Sequence, residues 1–200
     1  MRLAGWLSIQ SAPTMNAISQ SAKSQVAAET GTTECWVNRD GITVTLRAID
    51  PGDVALSRHF LAGLSFGTRY FRFGRGDFQY TDEELLRLCT PAPGERAQFI
   101  ALARRDDVET MIGSARYVVQ DDGRTCEMAI VVNDAWQGHG VGSRLLRALI
   151  AQARRDRLQT MEGKVLGSNA GMVEFAKSQG FQVDDRSQPG LKTIVRSLAP

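Results

Sequence analysis

The sequence predicts a single α/β domain built on a mixed, mostly antiparallel sheet. Residues 97–103, 111–119 and 125–132 resemble strands and follow one another with only short polar turns between them, which favours antiparallel pairing. An amphipathic helical pattern follows over residues 141–153. Of the 200 residues, 42% are hydrophobic and 23% are charged, which excludes a wholly disordered chain, a fibrous repeat and a small disulfide scaffold.

The first part of the chain differs in composition from the rest. Residues 1–38 are rich in Ser, Ala, Gln and Thr and show no sustained periodicity, so we expect a flexible leader followed by a domain over residues 39–200. Residues 42–47 alternate between apolar and polar side chains, as a half-buried strand does. Asp50 and Pro51 then mark the start of a helix that is predicted to stop near Gly67.

The remaining elements are predicted by caps and by periodicity. Thr81 is followed by three acidic residues and an apolar run, which indicates a capped helix that two prolines close. After the helix at 141–153, the pattern predicts a strand at 161–166 and a short helix at 170–178. Two closing strands are predicted at 181–183 and 193–198.

Charge and cysteine content narrow the classes of partner. Lys and Arg number 24 against 22 acidic residues, a net charge of +2, so nothing demands nucleic acid or an anionic membrane. The cysteines are widely spaced and only two histidines accompany them, so we expect no metal site and a reduced, cytoplasmic protein. No apolar run is long enough to cross a bilayer.

A glycine-rich turn carries the clearest chemical signal. Gly138, Gly140 and Gly142 alternate at the start of the amphipathic helix, where unpaired N–H groups and the helix dipole favour phosphate. The nucleoside-triphosphate motif GxxxxGK[ST] is absent. The GxGxG spacing after antiparallel strands does not match a dinucleotide fingerprint. The alternative without a ligand is a tight turn whose glycines allow close packing.

The segment from Gln137 to Gly142 resembles the Q/RxxGxG/A signature of the GNAT superfamily of acetyl-CoA-dependent N-acyltransferases. The resemblance extends over residues 43–183. It implies the GNAT fold, with helices on both faces of a sheet that is splayed in the middle where acetyl-CoA enters. Residues 46–53, 64–73 and 126–132 further resemble the Pat-type bacterial protein lysine acetyltransferases. Residues 64–73 discriminate best, because most small-molecule members of the superfamily lack this segment.

The resemblance implies roles for specific residues. The turn would bind the pyrophosphate of coenzyme A, the strand before it would offer backbone groups to the pantetheine arm, and an asparagine downstream would contact the same arm. The cofactor-binding residues so implied are Ile130, Val131, Val132, Gln137, Gly138, His139, Gly140, Val141, Gly142, Ser143 and Asn169. Asn169 is also placed to cap the next helix, and no catalytic role is assigned to His139.

Glu127 is the catalytic residue that the resemblance to Pat-type enzymes implies. It is a lone acid in an apolar strand, as expected of a desolvated general base. The alternative is an exposed strand residue. Ala176 stands where many superfamily members have a tyrosine general acid, so water would protonate the leaving thiolate or it would leave unassisted. Asp134 and Glu109 are read as solvated loop acids.

Two further predictions concern one cysteine and three arginines. Cys126 alternates to the opposite face from Glu127, which favours a buried thiol over an acyl carrier. Three arginines after the first helix could dock an acidic protein surface or pair with nearby acids. The arginines are Arg69, Arg72 and Arg75, and the acids are Asp77, Asp82 and Glu83.

Taken with the resemblance, these residues favour an N-acetyltransferase that transfers an acetyl group from acetyl-CoA to an amine, most readily a protein lysine, in a ternary complex. A small-molecule N-acetyltransferase for a polyamine, amino acid or antibiotic stays open, as does a non-catalytic acetyl-CoA sensor. The identity of the acceptor and the choice between monomer and dimer are left undecided at this point.

Overall fold

The computed structural model describes residues 34–77, 79–92, 96–184 and 189–199. The strands in these residues are β1 (Glu34–Val37), β2 (Thr43–Ala48), β3 (Arg96–Arg105), β4 (Val108–Val119), β5 (Thr125–Val132), β6 (Thr160–Leu166), β7 (Gln182–Asp184) and β8 (Leu191–Ser197). The α-helices are α1 (Val54–Ala62), α2 (Phe66–Phe73), α3 (Asp82–Cys89), α4 (Val141–Arg155) and α5 (Ala170–Ser178). None of these helices is both long and apolar enough to cross a membrane.

The strands form one sheet in the order β1-β2-β3-β4-β5-β6-β8-β7. Every neighbouring pair is antiparallel except β5 and β6, which run parallel. The parallel pair needs a crossover connection, which α4 provides. The predicted mixed, mostly antiparallel sheet is therefore confirmed.

Helices cover both faces of the sheet, because successive side chains of a strand point to opposite faces. On β3, Phe99 and Ala101 belong to the cluster that packs against α4, and Ile100 and Leu102 belong to the cluster that packs against α1. All four side chains are almost completely buried. The face toward α1, α2 and α3 also carries Glu127, since Cys126 and Met128 point into the opposite core.

The predicted helix starts are confirmed by their caps. Asp50 accepts a hydrogen bond from the Gly52 N–H at 2.8 Å, and Asp53 accepts one from the Asp50 N–H at 2.8 Å. Asp53 is also paired with Arg47 at 2.7 Å. At α3, Thr81 and Glu84 form the predicted reciprocal capping box.

Two sequence predictions are wrong in this region of the chain. The composition places residues 34–37 in the leader, yet they form β1, which pairs with β2 along its whole length. The helix expected to reach Gly67 ends at Ala62, and a separate helix, α2, begins at Phe66 because Ser65 caps it by accepting a hydrogen bond from the Thr68 N–H. The rest of the predicted leader, residues 1–33, lies outside the described residues.

Candidate functional site

The central feature of the site is a gap between the two parallel strands. β5 and β6 pair only at Thr125–Thr160, Cys126–Met161 and Glu127–Glu162. β5 stays paired with β4 as far as Val132, and β6 stays paired with β8 as far as Leu166. The edge of β5 beyond Met128 therefore presents backbone groups that β6 does not use. Ile130, Val131 and Val132 all belong to this stretch, although the Val131 carbonyl oxygen points toward β4, where it lies 3.3 Å from the position of a Cβ on Gly113.

The glycine-rich turn stands at the end of this gap. Gly138 and Gly140 have left-handed φ angles of 75° and 79°, which favour glycine, and a side chain built on either would meet open space. Gly140 is the N-cap of α4, and no side chain caps this helix. The first N–H groups of α4, which include those of Val141 and Ser143, have no partner within the helix. They are free to bind an anion.

The third glycine has a different environment. A Cβ on Gly142 would lie 3.5 Å from the Phe175 ring, an ordinary contact, and its φ is not left-handed. Gln137 is fixed beside the turn, since its side-chain amide donates to the Val132 carbonyl at 3.2 Å. The Nδ1 atom of His139 lies 2.8 Å from the Gln137 carbonyl oxygen, so the histidine contacts the turn itself.

Asn169 is the N-cap of α5 and Ala176 lies within this helix, whose Phe175 ring is next to Gly142 in the first turn of α4. The Asn169 side chain accepts a hydrogen bond from the Met172 N–H at 3.1 Å, so the predicted N-cap is confirmed. Ala176 is completely buried in the core. Its position therefore supplies no group that could donate a proton to a ligand.

Glu127 occupies the last rung before the two strands separate. Its side chain is exposed rather than enclosed, so the sequence expectation of a desolvated carboxylate is not met. Cys126, its neighbour, is completely buried, and burial raises the pKa of the thiol to about 12. Such a thiol stays protonated at neutral pH, which agrees with the predicted structural role.

A narrow pocket opens on the same face as Glu127, between α1, α2, α3 and the sheet. Ala129 and Val131, the residues that follow Glu127 on this face of β5, form its floor. Apart from Arg72, its polar lining was not identified from sequence. These side chains are Ser57, Arg72, Tyr80, Gln98, Ser114 and Arg116.

Two of the three acids that could pair with Arg69, Arg72 and Arg75 have other partners. Asp82 pairs with Arg58 at 2.6 Å, and Glu83 pairs with Arg87 at 3.1 Å. Arg72 takes part in neither of these ion pairs. Its guanidinium carbon lies 4.9 Å from the centre of the Phe73 ring. Partial burial and the nearby Arg116 charge lower the pKa of Arg72 to about 10.

The two acids read as solvated are both engaged. Asp134 accepts hydrogen bonds from the Ser65 N–H at 3.1 Å, the Ser65 hydroxyl at 2.8 Å and the Thr68 hydroxyl at 2.7 Å. Partial burial raises the pKa of Asp134, but these hydrogen bonds outweigh it and hold the pKa below its usual range. Glu109 pairs with Arg104 at 2.9 Å.

A separate cavity of about 340 Å³ lies on the other side of the glycine-rich turn, where Trp136 and His139 form one wall and Asp40 and Arg105 line the rest. None of its lining residues belongs to β5, β6 or α5, so it is not part of the gap. Among the described residues there is no group of three or more His, Cys, Asp or Glu side chains that could hold a metal ion.

Comparisons with known proteins agree with this geometry. The sequence model of the acetyltransferase (GNAT) family matches residues 65–181. The acetyltransferase PA5475 of Pseudomonas aeruginosa is 29% identical over 167 residues, which cover 82% of this chain and 89% of that protein.

Solved structures share the fold. The GNAT domain of S. lividans PAT has a TM-score of 0.73 at 24% identity, covering 82% of this chain and 96% of that one. The protein yncA from Salmonella typhimurium, solved with its cofactor acetyl-CoA, has a TM-score of 0.59 at 21% identity, covering 78% and 95%.

Proposed function

The chain belongs to the acetyltransferase (GNAT) family as an acetyl-CoA-dependent N-acetyltransferase, and we propose that its acceptor is a protein lysine and that Glu127 is its general base. The observation that carries the proposal is the place of Glu127. Its rung is the last one before β5 and β6 separate, and its face of β5 leads into the pocket beneath α1, α2 and α3. A carboxylate there stands where the cofactor gap and an acceptor pocket meet.

The residues around the gap fit the parts of acetyl-CoA. The uncapped N-terminus of α4, with open space at Gly138 and Gly140, suits a pyrophosphate. The free edge of β5 at residues 130–132 suits the pantetheine amides, which would extend the sheet as an added strand does. Gln137, with its bond to the Val132 carbonyl, holds the turn against that edge. When bound, acetyl-CoA supplies the activated thioester.

Glu127 would serve as the proton acceptor that the reaction needs. A lysine ammonium has a pKa near 10.4, so removing its proton at neutral pH costs about 4–5 kcal/mol. The exposed Glu127 carboxylate can accept this proton directly or through one water molecule. A backbone N–H of residues 130–132 would polarise the thioester carbonyl. Ala176 donates nothing, so water would protonate the leaving thiolate, whose conjugate thiol has an ordinary pKa of about 8.5.

The surface beside the pocket favours a protein acceptor over a small amine. α2 exposes three aromatic side chains: Phe66 is 66% exposed, Tyr70 is 42% exposed and Phe71 is 38% exposed. Exposed aromatic clusters mark protein-binding surfaces more often than small-molecule sites. Asp134 holds the start of α2 against the turn that precedes the glycine-rich loop. This surface is therefore hydrogen-bonded to the segment that leads into the glycine-rich turn.

Turnover should be measured by thiol release from acetyl-CoA, with lysine peptides, proteins and small amines as acceptors and mass spectrometry to locate the acetyl group. Glu127→Gln keeps the shape but cannot accept a proton, so kcat should fall by about 10²–10⁴-fold while coenzyme A affinity is retained. Raising the pH should partly rescue the variant, because more of the acceptor amine is then neutral. Glu174→Gln, at an exposed site on α5 where the carboxylate pairs only with Lys177 among the described residues, is the matched control.

Three outcomes would contradict the proposal. Undiminished kcat of Glu127→Gln from roughly pH 6 to pH 9 would exclude Glu127 as the base. Acetylation of small amines with no modified lysine in any protein or peptide would exclude the protein acceptor. Coenzyme A binding without turnover of any acceptor would favour the sensor.

A further inference from the structure

Two arginines from distant parts of the chain meet in the pocket next to Glu127. Arg72 lies in the last turn of α2, and Arg116 lies on β4 opposite Ala129. Glu127 is the diagonal neighbour of Arg116, since it is paired with Val118. Gln98 and Ser114 complete the polar side of the pocket and are hydrogen-bonded to each other at 3.1 Å.

Neither guanidinium group has a hydrogen bond or an ion pair with any residue in the described ranges. Their charges act on each other, since Arg116 lowers the pKa of Arg72 and the nearby Glu127 raises it. At about 10, the pKa of Arg72 leaves its guanidinium group charged at neutral pH. Two partly buried positive charges that no carboxylate of the described residues pairs with are unfavourable, and an anion between them would remove the repulsion.

We infer that Arg72 and Arg116 form an anion subsite of the acceptor pocket, and that the preferred acceptor carries a carboxylate close to the amine that reacts. The inference rests on the proposed function, because it assigns the substrate of the same pocket. The planar guanidinium group binds carboxylates through two parallel hydrogen bonds, which a single ammonium cannot do. Glu127 forms no ion pair with either arginine among the described residues, so its carboxylate does not occupy the subsite in this structure.

The spacing of the groups suits an extended peptide. Glu127 and Ala129, which faces Arg116 across the rung, lie two positions apart on β5, or roughly 7 Å. In an extended peptide, side chains two positions apart lie on the same side with the same spacing. A lysine directed at Glu127 would therefore place an acidic residue two positions away near Arg116. The α-carboxylate of a free amino acid offers the same chemistry from a different source.

Two acetyl-capped peptides with a central lysine should be compared, one with Glu and one with Gln two positions away. The wild type should favour the Glu peptide by about tenfold in kcat/KM, as expected for a charge-assisted pair that is partly exposed. Arg116→Gln should abolish this ratio and Arg116→Lys should retain part of it. Arg116→Glu should reverse it toward a peptide with Lys at that position. Arg87→Gln, on the outer face of α3, should keep the wild-type ratio.

Binding measurements separate this inference from the proposed function. Calorimetry with the acetylated product peptides and coenzyme A requires no turnover, and wild type should bind the Glu product more tightly than the Gln product. Equal affinities for the two products would overturn the subsite, even if lysine is acetylated. Discrimination in binding without peptide turnover would support the subsite and contradict the lysine proposal. Free lysine compared with cadaverine, the same chain without the carboxylate, tests the amino-acid source.

Each variant should first be melted in its ligand-free form. The preference for lysine over cadaverine should be compared with the preference for the Glu peptide over the Gln peptide. If the first is larger, the subsite is supported and the carboxylate that it binds belongs to a free amino acid. If Arg116→Gln melts well below wild type, the Glu-to-Gln peptide ratio should be measured with Arg72→Gln and Arg116→Lys instead. A Glu-to-Gln ratio unchanged in both would overturn the inference.

Discussion

At the scale of single residues, Asp134 joins two elements that are far apart in sequence. It follows β5, and its carboxylate binds the N-cap and first turn of α2 through Ser65 and Thr68. A loop acid looks solvated in the sequence because its partners are 66 and 69 positions away. The same separation conceals the pair of Arg72 and Arg116. Glu127 and Asn169, in contrast, sit within local patterns, and both were located on their strand and helix start from sequence.

Asp134→Asn should weaken the attachment of α2. Because the pKa of Asp134 in the folded protein lies below its ordinary value of 3.8, its carboxylate contributes stability above that value. The contribution is lost as the pH falls through the folded-state pKa. We expect the variant to be less stable than wild type by about 1 kcal/mol at pH 7, a modest value because the site is exposed. The difference should begin to shrink as the pH falls below 3.8 and should vanish only below the folded-state pKa.

Urea unfolding across this pH range measures the effect. Asp121→Asn, at an exposed position in the turn between β4 and β5, is the control and should change stability little. A stability difference for Asp134→Asn that does not shrink at any pH below 3.8 would show that the hydrogen bonds do not depend on the carboxylate charge. An increased KM for the peptide acceptor with unchanged coenzyme A affinity would link α2 to acceptor binding.

At the scale of elements, β1 shows where composition misleads. Its four residues are too few to display a period, and the Ser- and Thr-rich segment before it hides the boundary. Tertiary contacts settle its conformation. Trp36 packs under the Arg144 guanidinium group, with 4.4 Å between the guanidinium carbon and the ring centre, and Glu34 is ion-paired with the same arginine. β1 therefore attaches to the first turn of α4 as well as to β2.

A chain that begins at Arg39 should be less stable than one that begins at Thr32. Only the first lacks β1 with its ladder to β2 and its contacts to Arg144. We expect a loss of about 2 kcal/mol, which corresponds to roughly 4–8 °C in Tm for a domain of this size. Calorimetric melting of the two proteins measures it, and Trp36→Ala in the longer one should give part of the loss. Equal melting temperatures would contradict a stabilising role for β1.

At the scale of the molecule, local patterns predicted the antiparallel core because its strands are consecutive and joined by short turns. The order of β6, β7 and β8 could not be predicted from local patterns. β8 lies between β6 and β7, and this insertion depends on pairing between distant segments that no local pattern records. The splayed centre was implied only by family resemblance. Its physical basis is the absence of β5–β6 pairing beyond Glu127 and Glu162.

The gap in the sheet makes stability depend on coenzyme A. A ligand that binds only the folded chain stabilises it by mass action, by about 2.7 kcal/mol at a concentration of 100 Kd. For a domain of this size we expect Tm to rise by roughly 5–10 °C. Amides of β5 that point away from β4 between residues 129 and 132 should also exchange more slowly with solvent, because the ligand would occupy the open edge.

Two glycine variants locate the effect. Gly140→Asp places a carboxylate where the pyrophosphate would bind, on a residue with left-handed φ, so its own Tm should fall and the shift with coenzyme A should be lost. Gly142→Ala should keep the full shift, because the added methyl group makes only ordinary contacts and alanine favours the helix. A full shift in Gly140→Asp would place the cofactor away from the α4 N-terminus. No shift in wild type at saturating coenzyme A would exclude this gap as a coenzyme A site.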